Sequence, residues 1–166
     1  MDTILLIVIG VFSRLAPHPA NVTAVGALAV FSGSRYGTAK ALGITVATML
    51  LTDAVLGFHA VMWATYGSFA LSVLLANFFL RKQSVIRIVG VTLTSSVLFY
   101  LITNFAVWVI PGSMYPKTLA GMLESYIMAL PFFRNSLLGD FSYAAIFFGS
   151  YALMKALRPR LKTLHP

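Results

Sequence analysis

The longest stretch of the sequence without Asp, Glu, Lys, Arg or His runs from Ile88 to Pro116. A helix needs about 20 mainly apolar residues to cross the hydrocarbon layer of a bilayer, and this stretch is longer than that. The whole chain is 59% hydrophobic and only 10% charged, whereas about 25% of the residues in a soluble domain are charged. This combination excludes soluble globular, fibrous and disordered proteins and predicts an integral membrane protein.

The apolar runs predict four long transmembrane helices. One run, interrupted only by Asp53 and His59, is long enough for two helices with a break at Gly57-Phe58-His59. The next run ends at Pro111-Gly112, and the last one is interrupted only by Asp140. The four helices are expected near residues 38–58, 61–80, 85–110 and 135–157.

The N-terminal part of the chain is less regular. The runs Thr3–Leu15 and Val22–Gly33 are apolar but short for a full crossing. Pro17-His18-Pro19 lies between them and cannot continue a helix, because proline lacks an amide hydrogen and clashes with the preceding turn. Residues 1–36 are therefore expected to form either two thin, tilted crossings or one re-entrant hairpin. Both options return the chain to its starting side.

Segment 119–133 is also ambiguous. It is short and contains Glu124 and Pro131, so it is expected to be a half-inserted or surface helix. The predicted fold is a single all-α transmembrane domain over residues 1–166. It is a polytopic membrane helix bundle of about six transmembrane helices, of which the first two are short.

The basic residues divide unequally between the two sides of such a bundle. With six crossings, one side receives only Arg14, Lys117 and Arg134. The positive-inside rule places the side that carries more Lys and Arg in the cytoplasm. Both termini are therefore predicted to be cytoplasmic, in a multi-pass protein of the cell (inner) membrane. The cytoplasmic side carries nine of the 12 basic residues: Arg35, Lys40, Arg81, Lys82, Arg87, Lys155, Arg158, Arg160 and Lys162.

Polar side chains of more specific chemistry collect on the opposite, outer side. Asp53, Asn104 and Asp140 are each expected about 10 Å below the outer end of a different helix, from the helical rise per residue. Ionisable groups at membrane depth usually face a bundle interior or a wet cavity, so these three are expected to form the floor of an outward-facing pocket. The wall is expected to contain Asn21, His59 and Trp108 and the lid Glu124 and Arg134, and the candidate substrate-binding set also includes His18 and Asn135.

These residues also have structural interpretations. Asp53 and Asp140 could instead pair with Arg134 or His59 and hold helices together. Asn104 could form an interhelical hydrogen bond. Among the remaining candidates, Trp108 fits an interfacial aromatic belt and His18 fits a cap of its own loop.

Several function classes are disfavoured. The chain contains no Cys and no P-loop, GxSxG or HExxH motif, and its histidines are too few and scattered for a strong metal site. We therefore expect no catalytic residues, no cofactor, no metal and no nucleic-acid partner; the expected partners are membrane lipid and a small-molecule substrate. An intramembrane enzyme that uses Asp53 and His59 as an acid–base pair is the least favoured alternative, because residues six apart face different directions on a regular helix.

Four motifs make the chain resemble an uncharacterised family of bacterial integral membrane proteins with six helices. Members are usually labelled candidate transport proteins, so the resemblance implies transport without naming a substrate. The motifs are Arg14–Thr23 (RLAPHPANVT), Leu51–His59 (LTDAVLGFH), Thr103–Trp108 (TNFAVW) and Pro131–Asp140 (PFFRNSLLGD).

The layout is also similar, more distantly, to the substrate-binding S component of energy-coupling-factor (ECF) vitamin transporters. Those proteins have six helices, cytoplasmic termini and a nutrient site covered by the first, third and fifth loops. The resemblance implies a substrate-binding component for a small metabolite or vitamin-like compound taken up from the outer side, with a T subunit and ATPases as partners. The alternative left open is a non-transporting structural or assembly subunit whose polar residues only hold helices together.

Overall fold

All regular secondary structure in the part of the chain that the structure describes is α-helical. A computed structural model describes the backbone of residues 2–162 and the side chains of residues 2–157. This part contains six α-helices and no strand, which confirms the predicted all-α fold. The helices are α1 (Thr3–Leu15), α2 (Val25–Arg35), α3 (Thr38–Leu56), α4 (Met62–Phe79), α5 (Val85–Val109) and α6 (Leu119–Lys162).

Four of these helices, α3 to α6, are long and apolar enough to cross a membrane. The bounds of α3, α4 and α5 agree closely with those predicted from the apolar runs. The agreement has a local cause, because residues at the helix ends determine where these helices begin and end. Gly57 follows α3 and has a positive φ of 99°, and the Ser84 hydroxyl accepts a hydrogen bond of 3.3 Å from the Arg87 amide at the start of α5.

The prediction of a separate helix at 119–133 is wrong, and its half-inserted or surface position stays a prediction. Residues 119–133 form the first part of α6, which continues through Pro131 to Lys162. A proline inside a helix removes one backbone hydrogen bond, and neighbouring helices in a bundle can compensate for that loss. The carbonyl that loses its helical donor is that of Ile127. The neighbouring α5 holds the residue before it from both sides: the Tyr100 hydroxyl donates to the Tyr126 carbonyl at 2.7 Å, and the Tyr126 hydroxyl donates to the Leu101 carbonyl at 3.0 Å.

α1 and α2 form a short helical hairpin. With 13 and 11 residues, they are about 20 Å and 17 Å long at the usual helical rise, shorter than the roughly 30 Å hydrocarbon layer of a bilayer. The hairpin closes where the Ser13 hydroxyl, near the end of α1, accepts a 3.0 Å hydrogen bond from the Ala24 amide, just before α2. Its tip is the loop 16–24.

α2 occupies the centre of the bundle and contacts each of the five other helices. Its side chains from Ala27 to Ser32 are all buried. Gly33 lies against the backbone of α4 at Val73, where a Cβ would have no room. A helix that is buried on all sides must be apolar or built from small residues, and the sequence of α2 satisfies this requirement.

One end of the bundle collects basic residues, and we call it the basic end. Arg35, at the end of α2, stacks its guanidinium 3.6 Å from the ring centroid of Tyr151 on α6. Gln83, between α4 and α5, donates to the Ser34 hydroxyl at 3.3 Å. The pKa of the Tyr36 hydroxyl is raised, first by burial and second by the negative charge of Asp2 nearby. Because Asp2 is the N-cap of α1, the start of α1 also lies at this end. The loops 16–24, 57–61 and 110–118 belong to the opposite end, which we call the pocket end.

Candidate functional site

A partly open cavity of about 310 Å³ lies toward the pocket end, between the helices. Every helix contributes to its lining, and the tip of the α1–α2 hairpin contributes as well. The lining is mixed, with charged groups, hydroxyls and aromatic rings. The lining residues are Arg14, His18, Asn21, Thr23, Val25, Gly26, Met49, Leu56, Thr65, Phe69, Ser72, Ser95, Phe99, Ser136 and Asp140.

One wall of this cavity is built on an ion pair between α1 and α3. Nη2 of Arg14 lies 2.8 Å from Oδ1 of Asp53, a side chain that is only 1% exposed. Nη1 of Arg14 donates to the Thr52 hydroxyl at 2.6 Å and lies 3.0 Å from Sδ of Met49. The Tyr66 hydroxyl on α4 donates to Oδ2 of Asp53 at 2.7 Å. The guanidinium therefore joins α1 to α3, and the carboxylate joins α3 to α4.

Helix dipoles explain why the ion pair has this polarity. Arg14 lies in the last turn of α1, where the partial negative charge of a helix C-terminus favours a cation. Asp53 lies near the end of α3 and would be unfavourable there alone, because the same partial charge repels a carboxylate. The Arg14 guanidinium offsets that repulsion and leaves the pair close to neutral.

Asp140 forms a second polar connection, between α6, α5 and α2. The Ser96 hydroxyl on α5 donates to Oδ2 of Asp140 at 2.6 Å, and the backbone amide of Ala27 interacts with the same carboxylate. The N-cap residue of α2, Ala24, provides no side-chain cap. Asp140 supplies the missing acceptor from another helix, and its negative charge is favourable beside the partial positive charge of a helix N-terminus.

Gly26 makes this arrangement possible. A Cβ at position 26 would collide with the carboxylate of Asp140. The absence of a side chain allows the carboxylate to approach the first turn of α2 directly. The group packed at Gly26 is therefore a carboxylate and not another apolar side chain.

The floor of the cavity contains a hydroxyl that has no partner. Ser95 is buried, and its Oγ has no hydrogen-bond partner among the described residues. Buried polar groups are nearly always satisfied by protein, water or ligand. The rings of Phe69 and Phe99, which also line the cavity, lie with centroids 4.9 Å apart. The cavity therefore offers a free hydroxyl next to an aromatic surface.

Asn104 lies at a separate cavity of about 140 Å³ between α5 and α6. Of these two neighbouring cavities, the one of about 310 Å³ is called the larger cavity. Its Nδ2 donates to the Tyr100 carbonyl of the same helix at 2.7 Å. The two cavities share Asn21, Phe99 and Ser136 as lining residues, so they are neighbours. Asn104 does not line the larger cavity with Asp140, and Asp53 reaches that cavity only through Arg14.

The hairpin tip is held in place over the larger cavity by its polar residues. Both ring nitrogens of His18 face backbone carbonyls, of Pro19 at 2.8 Å and of Arg14 at 3.3 Å. Nδ2 of Asn135 donates to the Ala20 carbonyl at 2.9 Å and ties the tip to α6. Asn21 has a positive φ of 65° and lines both cavities. These contacts fit the interpretation of His18 as a residue that caps its own loop.

The remaining candidates lie outside both cavities. His59 and Glu124 are exposed, and so is Arg134, whereas Asp53 pairs with Arg14 and Tyr66. Nε1 of Trp108 donates to the Pro116 carbonyl at 2.9 Å and closes the loop after α5. Within residues 2–157, no three His, Cys, Asp or Glu side chains are grouped closely enough to hold a metal ion.

Several residues that line the cavity are not among the predicted site residues, and Arg14 and Ser95 are the most informative of them. Arg14 was assigned only to the basic count of the outer side, although it is the one basic residue of the first apolar run. A cation there indicates a carboxylate partner, because isolated charges at membrane depth are costly. Ser95 carried no usable signal, since α5 contains several Ser and Thr residues and only their packing distinguishes them.

Residues 1–161 match the sequence profile of a family of unknown function (DUF6580). The chain belongs to this family. No curated protein and no solved structure shows significant similarity to the chain. The function of this DUF6580 protein therefore has to be argued from its cavity and from the residues that line it.

Proposed function

We propose that this protein binds a small metabolite in the larger cavity and serves as the substrate-binding component of a membrane transporter. The observation that carries the proposal is the cavity itself, with the unpartnered hydroxyl of Ser95 at its floor. Its volume, about 310 Å³, is at the lower end of the range for small-molecule sites. Polar groups that only hold helices together would not require such a space between them.

The charges of the bundle support an outward orientation for this cavity. Arg35 and Lys40 lie at the basic end, and the cavity lies toward the opposite end. Lys and Arg are enriched in cytoplasmic loops, so in this proposal the basic end and both termini are cytoplasmic. The cavity then receives its ligand from the outer side, past the hairpin tip at His18 and Asn21.

The distant similarity to ECF S components supplies a working hypothesis for the energy source. The sequence contains no P-loop, so ATP hydrolysis would have to come from partner proteins. In this proposal the partners are a T subunit and ATPases, and the substrate is a small or vitamin-like compound. A purification of the tagged protein from its native membrane, with identification of co-purifying ATPases, tests this part separately from ligand binding.

A structural or assembly subunit is the second candidate, and specific contacts favour it. The Arg14–Asp53 pair connects α1 with α3, and Asp140 connects α6 with α5 and α2. All three deep polar residues expected at a pocket floor thus have partners within the protein, since Asn104 donates to the Tyr100 carbonyl. This candidate requires that the cavity binds no specific solute.

A thermal-shift screen of metabolites on the purified protein separates the two candidates. Ser95→Leu fills the cavity without removing a hydrogen bond, so it is expected to fold and to lose the stabilisation caused by any true ligand. Thr94→Leu is the matched control, because Thr94 is the preceding residue of α5 and is exposed outside this cavity. Hits are then tested for uptake in proteoliposomes that contain the protein and its co-purified partners.

The outcomes differ clearly. A compound that raises the Tm of the wild type and of Thr94→Leu, but not of Ser95→Leu, supports a substrate site. If every compound shifts the wild type and Ser95→Leu equally, the cavity is not a binding site and the structural candidate stands.

A further inference from the structure

We infer that the ligand of the larger cavity is a small organic cation, an ammonium group attached to a flat apolar body, with Asp140 as its counter-ion. This inference rests on the proposed function, because it names the chemical class of that ligand. It comes from three features of the same cavity: the positive groups that already have negative partners, the carboxylate of Asp140 and the paired rings of Phe69 and Phe99.

Two positive features of the cavity are already paired with a carboxylate, and both ring nitrogens of the lining residue His18 face backbone carbonyls. The Arg14 guanidinium contacts Asp53, Thr52 and Met49, and it is part of the one salt bridge found among the described side chains. The other positive feature is the N-terminus of α2, whose first turn lines the cavity at Val25 and Gly26. The carboxylate of Asp140 already lies there, so an anionic ligand would have to compete with it.

Among the described side chains, no full cation lies opposite the negative charge of Asp140. Its carboxylate is stabilised by the Ser96 hydroxyl and the Ala27 amide, which together with the α2 N-terminus supply hydrogen bonds and a partial positive charge. No Lys, Arg or His nitrogen of the described side chains lies within salt-bridge distance of it. Because Asp140 lines the cavity, a cation that enters can pair with its carboxylate, and partly buried charge pairs are screened less than exposed ones.

The other lining groups match the remainder of such a ligand. Ser95 offers an unpartnered hydroxyl oxygen, which can accept a second hydrogen bond from an ammonium group. Ser95 is adjacent in sequence to Ser96, the hydroxyl donor to Asp140. Phe69 and Phe99 provide ring surface for a flat apolar body, and aromatic faces also attract cations. The cavity volume suits a molecule with one ring and a short side chain.

Three probes that share a phenylethyl body and differ in the charge of the end group test the inference: 2-phenylethylamine, 2-phenylethanol and 3-phenylpropionate. Binding is measured by isothermal titration on the purified full-length protein at neutral pH. The amine is expected to bind more tightly than the alcohol, and the carboxylate is expected not to bind. Asp140→Asn should weaken amine binding by about tenfold or more, as expected for the loss of a charge-assisted hydrogen bond, and should leave the alcohol unchanged.

Matched variants separate a direct contact from a general effect of charge or folding. Glu124→Gln removes the same charge from the same helix at an exposed position outside the cavity, and it should bind all probes like the wild type. Ser95→Ala removes a hydroxyl that has no partner within the described protein, so it should fold normally and weaken amine binding a few-fold. It provides the test if Asp140→Asn does not fold.

Each alternative result has a distinct meaning. If the alcohol or the carboxylate binds as tightly as the amine, and Ser95→Leu abolishes that binding, the cavity is a ligand site but not one for cations. If no amine binds while the metabolite screen yields neutral or anionic ligands, the inference is overturned and the proposed function stands. If neither experiment detects a ligand that Ser95→Leu displaces, both the inference and the proposed function are overturned.

Discussion

Asp140 of α6 lies directly against Gly26 of α2, so that a carboxylate from one helix occupies the place of a side chain on another. The contact lets Asp140 reach the Ala27 amide and act as the cap that Ala24 does not provide. It also places the carboxylate in the wall of the larger cavity. The structural and the proposed ligand-binding roles of Asp140 therefore depend on the same missing Cβ.

Gly26→Ala is expected to destabilise the protein, because the new methyl group must displace the carboxylate or separate α2 from α6. Overpacking of this kind usually costs about 1–3 kcal/mol. Gly43→Ala is the control: Gly43 lies inside α3 with open space around its Cβ position, and alanine there should stabilise the helix by about 0.5–1 kcal/mol. Thermal unfolding in detergent measures both, and an unchanged Tm for Gly26→Ala would contradict the close contact.

Breaking the Arg14–Asp53 pair is expected to lower the stability of the protein, because either single substitution leaves the other charge without its partner. We expect Arg14→Gln to lower the free energy of unfolding by about 3 kcal/mol, the lower end of the range for buried pairs, since Arg14 is 17% exposed. The double variant Arg14→Gln/Asp53→Asn should lose less than the sum of the two single losses. A double-mutant cycle with Arg134→Gln as the exposed control measures this coupling, and additive losses would show that the pair is not coupled.

Pro131→Ala is expected to stabilise α6, since alanine supplies the amide that proline lacks inside a continuous helix. The gain could reach about 3 kcal/mol, the difference between proline and alanine in a helix interior. Pro116→Ala, in the loop before α6, should change stability much less. A lower Tm for Pro131→Ala would mean that the packing of Tyr100 and Tyr126 depends on the proline.

The orientation can be tested in a natural background free of cysteine. Two variants introduce one cysteine each. Lys117→Cys places it in the loop between α5 and α6 at the pocket end, and Gln83→Cys places it between α4 and α5 at the basic end. With the basic end in the cytoplasm, a membrane-impermeant thiol reagent should label Lys117→Cys in intact cells. It should label Gln83→Cys only after the membrane is opened. The reverse pattern would place the cavity on the cytoplasmic side.

The helices α3, α4 and α5 were predictable because hydrophobic length and breaks such as Gly57 are local properties. The continuity of α6 was not, since the effect of Pro131 depends on what α5 contributes opposite it. The same distinction applies to the site. Asp53 and Asp140 were recognisable as deep carboxylates, but their partners were not, because pairing across helices depends on rotation and register that one sequence does not specify.

The amino-acid sequence by itself determined that this chain is a helical membrane protein and which residues are too polar to face lipid. Both conclusions follow from transfer free energy, which each segment carries regardless of its neighbours. Only the tertiary structure decided that Arg14 reaches Thr52, 38 positions along the chain, and that Ser96 reaches Asp140, 44 positions away. It also decided that these contacts surround a cavity, because an empty space is a property of packed helices together and of none of them alone.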